Sequence, residues 1–132
     1  MSLAEAALDL VGIPFRLHGR DPATGLDCVG VVAAAFDRIG HTVDAPADYR
    51  LRGGCPERFD CWATACGLAS TGEDAEPGMG DVLLCEPGIR QFHVVVDCGA
   101  LLVHAHLGLG RVVAMPAPSP WPVRRRWRLQ QG

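Results

Sequence analysis

The hydrophobic period changes once along this chain, near residue 80. Before that point apolar residues recur at helical spacing; beyond it they alternate or form short runs broken by Gly and Pro. Helices first and consecutive strands afterwards predict an α+β fold, with N-terminal helices packed on a C-terminal antiparallel sheet.

Ser2-Leu3-Ala4-Glu5 is a capping box, followed by Leu3, Ala6, Ala7 and Leu10 at helical spacing until Gly12 and Pro14 stop the run. A loop rich in Gly, Asp and Pro fills Ile13 to Leu26. The second helix is expected from Cys28 to Ile39, with Asp27 as N-cap and Gly40 closing it. Residues 41–54 read as extended loop. Pro56 then opens a shorter helix to Cys66. Strands are expected at Val82–Cys85, Phe92–Asp97, Ala100–His106 and Arg111–Met115. Trp121 to Leu129 alternates, with Trp121, Val123, Trp127 and Leu129 on one face and Arg124, Arg126 and Arg128 on the other. A charge-guarded edge strand is the expected form of that segment. No internal repeat or boundary interrupts residues 1–132, which read as one domain.

All 12 basic residues are Arg; Lys and Asn are absent. That excludes a Walker-A loop, a Schiff-base lysine, a Ser-Lys dyad and a Cys-His-Asn triad. Cys, His and Asp remain for polar chemistry. A net charge of -3 argues against a nucleic-acid partner. No apolar window of roughly 18 residues exists, so no membrane span is expected. The N-terminus lacks a basic and apolar leader and reads as a mature start rather than a signal peptide. The six Cys, none at C-x-x-C spacing, are therefore expected as thiols, with no knuckle-type zinc site.

Cys28 stands at a helix start, where unpaired N–H groups and the helix dipole would lower a thiol pKa and could bind an oxyanion. The plain alternative is a buried Cys that only packs. Further on, a two-residue turn at Cys98-Gly99 would set His93 directly opposite His104, with Cβ atoms roughly 4.5–5.5 Å apart. His93 could then take the thiol proton while His104 orients it. The same strand face offers a second reading, a three-His zinc site on His93, His104 and His106 in a hydrolase. His18 and His41 read as surface residues, and Cys55, Cys61, Cys66, Cys85 and Cys98 as packing.

The chain resembles the NlpC/P60 family of cysteine peptidases. The resemblance rests on Gly12-Ile13-Pro14-Phe15, Gly19-Arg20, Leu26-Asp27-Cys28-Val29-Gly30, Gly78-Met79-Gly80-Asp81-Val82, His93-Val94 and Val103-His104-Ala105. The stretch from Gly19 to Gly30 is most similar to the phage and gene-transfer-agent branch. The resemblance implies a papain-like α+β fold and a peptidoglycan hydrolase that cuts stem peptides, commonly between D-γ-glutamate and diaminopimelate. It implies Cys28 as nucleophile, His93 as base and His104 as orienting residue, with no cofactor. It assigns Asp27 to the free amine of the stem peptide, and Tyr49 is a candidate for the same pocket. Val29 stands where the family often has Ser. Without an appended wall-binding domain, targeting is expected from a partner such as a phage-tail or gene-transfer-agent protein. The expected location is the cell wall after synthesis in the cytoplasm, with the protein carried on a virion in that setting. A non-catalytic wall-binding or virion module on the same fold is the remaining alternative.

Overall fold

The computed structural model describes residues 1–41, 54–72 and 75–130. Helix α1 (Leu3–Leu8) begins at Ser2, whose Oγ accepts the Glu5 N–H at 3.1 Å. Such a cap is worth about 1 kcal/mol. A short hairpin of two-residue strands, β1 (Arg20–Asp21) with β2 (Gly25–Leu26), then leads into α2 (Cys28–Arg38). Asp27 caps α2 as expected, and Gly40 follows at φ 76. Val29, Val31, Val32, Ala34 and Ala35 of α2 are buried in the core that it shares with the sheet. Fully buried Phe36 anchors it, a burial worth about 2 kcal/mol. Helix α3 (Pro56–Ala65) starts at the expected proline.

Six strands follow: β3 (Leu68–Ser70), β4 (Val82–Gly88), β5 (Gln91–Asp97), β6 (Leu101–His106), β7 (Arg111–Pro116) and β8 (Val123–Leu129). They form one antiparallel sheet in the order β3-β8-β4-β5-β6-β7. One face, carrying Val82, Leu84, Val94, Val96, Val103, Ala105 and Trp127, packs on the helices. The other carries Leu83, Cys85, Val95 and Leu102, closed over by Met115, Ala117 and Trp121. The chain from Gly12 to Phe15 runs along β7, where Val112 N–H donates to Ile13 O at 2.8 Å and Phe15 N–H to Gly110 O at 2.9 Å. That contact pairs an edge which would otherwise be open.

Three expectations fail for identifiable reasons. β8 is an interior strand, because the short β3, which the sequence pattern does not announce, pairs outside it. Its arginines are therefore not a solvated edge. Secondly, Trp121 and Trp127 do not share a face. Leu84 opposes Arg125, but Cys85 opposes Val123, so Arg124 is an extra residue in β8. This bulge reverses the alternation and sends Trp121 to the side away from the helices. Thirdly, Cys55 and Cys61 are exposed rather than packed, while Cys66, Cys85 and Cys98 are buried free thiols.

Candidate active site

The start of α2 is built by its neighbours. Asp27, fully buried, accepts the Gly30 N–H at 2.7 Å on Oδ1 and the His18 N–H at 2.9 Å on Oδ2. Arg20 Nη1 adds an ion pair at 3.2 Å. A Cβ on Gly30 would fall onto Gly19 O, so the glycine lets the 18–20 turn close over the helix. Of the first N–H groups of α2, Gly30's is held by the Asp27 side chain and Val31's by Asp27 O at 2.9 Å. Among the described residues, those of Cys28 and Val29 have no backbone acceptor, and both favour the charged form of the Cys28 sulfur.

The same sulfur meets the backbone of Val94, the residue after His93. This approach is possible because β5 and β6 part. They pair only at Val96↔Val103 and Asp97↔Leu102, whereas β4–β5 continues to Cys85↔His93 and β6–β7 to His106↔Arg111. Among the described residues, no hydrogen bond joins Cys28 Sγ to the His93 ring. His93 Nε2 and His104 Nδ1, by contrast, lie 2.7 Å apart. Their route to that contact differs from the expected one. The connection is Gly99–Ala100, with Cys98 N–H donating to Leu101 O at 2.8 Å and Gly99 at φ 85. The observed register, counted outward, puts His106 opposite His93 and His104 on the diagonal. The face is the expected one; the pairing is shifted by one step on each strand.

Burial governs the charge states. It pushes the Cys28 thiol up to about 12, and the Asp27 carboxylate adds to the effect; backbone N–H groups at Val94, Val29 and Cys28 pull the other way. The expected low-pKa thiol is thus overturned, since the desolvation of a nearly sealed sulfur outweighs the N–H groups of the helix start. His93 is held down to about 3 by burial, then by the proximity of His104 and His106. His104 is held down to about 4, again by burial first and His106 second. At neutral pH the Cys28 thiol and the His93 and His104 imidazoles are all neutral.

No family model and no curated protein sequence matches the chain. Solved structures do. The peptidoglycan hydrolase RipB of Mycobacterium tuberculosis is 21% identical with a TM-score of 0.67, over 98% of this chain and 64% of that one. NlpC1 of Trichomonas vaginalis is 20% identical at TM-score 0.65, over 96% of this chain and 43% of its own. The P60 domain of antigen MAP1204 from M. avium subspecies paratuberculosis is 21% identical at TM-score 0.60, over 96% and 90%. The chain has the NlpC/P60 fold. It spans less than two thirds of the RipB and NlpC1 chains.

Within this NlpC/P60 fold the Gly78-Met79-Gly80-Asp81 stretch has a structural role that the pattern alone did not reveal. Asp81, fully buried, accepts Arg126 Nη1 at 2.8 Å, Arg128 Nε at 2.8 Å and the Gly78 N–H at 2.9 Å. Arg126 also reaches Asp97 at 3.0 Å. Burial alone would raise the Asp81 carboxyl, but hydrogen bonds from Arg128 and Arg126 more than reverse that and hold it low. The signal available was the spacing of Arg126 and Arg128 on one strand face; their buried partners lie far away in sequence.

The three imidazoles of the zinc reading do share a face. Yet His93 and His104 spend a nitrogen each on one another, and His106 Nδ1 accepts the Leu109 N–H at 3.0 Å. Among the described residues no group of three His, Cys, Asp or Glu is placed to hold a metal ion. Tyr49 lies outside the described residues. His41, expected at the surface, instead places Nε2 2.9 Å from Cys66 O and its ring on Phe36.

Proposed function

We propose that the protein is a cysteine peptidase acting on peptidoglycan stem peptides, at the bond between D-γ-glutamate and diaminopimelate. The observation that carries this is the His93–His104 hydrogen bond on the strand whose next residue, Val94, touches the Cys28 sulfur. Cys28 is the nucleophile, His93 the base and His104 the group that orients it.

Because thiol and imidazole are both neutral at rest, the proton moves as the substrate carbonyl arrives. Cys28 Sγ–H passes its proton to His93 Nδ1 while the sulfur bonds to the carbonyl carbon. The unpaired N–H groups of Cys28 and Val29 receive the developing oxyanion. His93 then gives the proton to the departing amine, and water hydrolyses the thioester with His93 as base. Both Asp27 oxygens are engaged within the protein, so its effect on a substrate amine is through its charge and the 18–20 turn that it holds. Tyr49 is assigned to the same subsite, and delivery to the wall to a tail-type partner.

Purified protein incubated with diaminopimelate-containing stem peptide should release fragments identified by mass spectrometry. Cys28→Ala should release none, and unchanged turnover in that variant would remove the mechanism. A second reading, a non-catalytic wall-binding module, is favoured by the sealed Cys28 and by the lack of a sulfur–imidazole hydrogen bond. Sedimentation with purified peptidoglycan and no release of fragments would select it.

A further inference from the structure

Among the described residues, Trp121 is the aromatic side chain nearest the proposed His pair apart from His106, and the mechanism above leaves it unused. Its ring centroid lies 5.4 Å from that of His104 and 5.6 Å from that of His93, with both interplanar angles at 86°. The imidazoles are themselves at 85°. The bulge at Arg124 turns Trp121 to this face, and Ser119 pins it there. The Trp121 backbone N–H donates to Ser119 Oγ at 3.1 Å, and that hydroxyl donates to the Trp121 backbone O at 2.9 Å. Cys85 Sγ, 3.7 Å away, backs the serine.

The second observation is an orphan. His104 is 1% exposed, and its Nε2 is a buried side-chain nitrogen with no hydrogen-bond partner among the described residues. His106, the other titratable neighbour, stands 5.8 Å away centroid to centroid and uses its Nδ1 on Leu109.

The 2.7 Å contact admits one proton between His93 Nε2 and His104 Nδ1, so the two neutral rings share their tautomer. If His104 Nδ1 carries it, His93 must hold its own proton on Nδ1 and cannot accept another there. If His93 Nε2 carries it, His93 Nδ1 is a bare lone pair, and His104 must hold a proton on the buried Nε2. Only the second form can take a thiol proton at Nδ1. It needs something to receive an N–H where the described residues offer no oxygen or nitrogen. An aromatic face is such a receiver, because its quadrupole is negative above the ring, and perpendicular edge-to-face packing is the arrangement that uses it.

We propose that Trp121 is a positioning residue whose indole face receives the His104 Nε2–H and thereby holds both imidazoles in the Nε2–H tautomer. The proposal rests on the peptidase reading for its purpose, but the tautomer is a property of the resting protein.

The test is long-range ¹H–¹⁵N correlation spectroscopy on the full chain with ¹⁵N-labelled histidine, at neutral pH and without substrate. The expected result is the Nε2–H pattern for both His93 and His104. A pair in the Nδ1–H form overturns the proposal. Trp121→Leu, which keeps an apolar plug but no π face, should move the pair towards Nδ1–H; Trp121→Phe should restore Nε2–H. An unchanged pattern in Trp121→Leu also overturns it. On stem peptide, Trp121→Leu should lower kcat by roughly ten-fold with KM unchanged, the signature of a misplaced base proton. The spectroscopic result stands whether or not cleavage is found, so failure of the peptidase reading is read separately from failure of this one.

Discussion

His93 Nε2 and His104 Nδ1 are 2.7 Å apart although the two residues are diagonal, not opposite, on their strands. A diagonal contact between side chains of this length is ordinary on a sheet face. It depends on the imidazole of each being the right size and on the parting of β5 from β6, which frees both rings to turn. The proposed catalytic role of His104 is then specific: it accepts one hydrogen bond from His93.

His104→Gln keeps an acceptor oxygen on a side chain of similar reach, and His104→Leu removes it. The expected kcat on stem peptide is within about ten-fold of wild type for the first and lower by roughly 10²-fold or more for the second. Equal losses in the two variants would show that His104 does not act by accepting that bond.

Acid should destabilise the fold through these same rings. Both folded-state values lie below the ordinary 6.5, so the unfolded chain binds protons that the folded one refuses. Stability is therefore fully present above about pH 6.5 and falls as the pH drops towards 4 and 3. Each imidazole contributes a slope of about 1.4 kcal/mol per pH unit in that window. Asp81, also held low, adds its loss only below the ordinary carboxylate range of 3.8. Urea titrations between pH 7 and 4.5 should show the slope, and the double variant His93→Gln, His104→Leu should flatten it.

How far these features could be foreseen depends on which contacts are local. The start of α2 was legible because Asp27, Cys28 and Gly30 are neighbours, and capping is short-ranged. The shared face of His93 and His104 was legible from strand alternation around a Gly turn. Their register was not, since the turn uses Gly99 as its first residue rather than its second. The side chosen by Trp121 was hidden by a one-residue bulge, which leaves no mark in the apolar pattern. The raised Cys28 thiol was not legible, because a helix start shows in sequence, whereas the burial that outweighs it comes from core packing between segments distant in sequence.

The Asp81 cluster is a stability element, with one buried carboxylate holding two guanidinium groups. Asp81→Ala leaves Arg126 and Arg128 without that partner and the Gly78 N–H unsatisfied. Arg126 keeps Asp97 and both guanidinium groups reach solvent, so the loss is that of a buried, hydrogen-bonded carboxylate, about 1–3 kcal/mol. Chemical denaturation should read a loss of that order; a change under about 0.5 kcal/mol, typical of surface sites, would contradict the assignment.

Thiol reactivity should follow exposure. Cys55 and Cys61 are exposed, while Cys28 is sealed and its thiol is pushed up to about 12. Peptide mapping after brief iodoacetamide treatment at pH 7.5 should find the first two alkylated and Cys28 slower by roughly a hundred-fold or more. Rapid labelling of Cys28 in the resting protein would mean that its sulfur is open and already ionised.

The most direct measurement is intact mass spectrometry of the protein quenched in acid during turnover of a diaminopimelate-containing stem peptide. A transient adduct of the acyl fragment on Cys28 is expected, located by peptide mapping and lost in Cys28→Ala together with turnover. Fragments released at an undiminished rate by Cys28→Ala, with no adduct on any cysteine of the wild type, would contradict it.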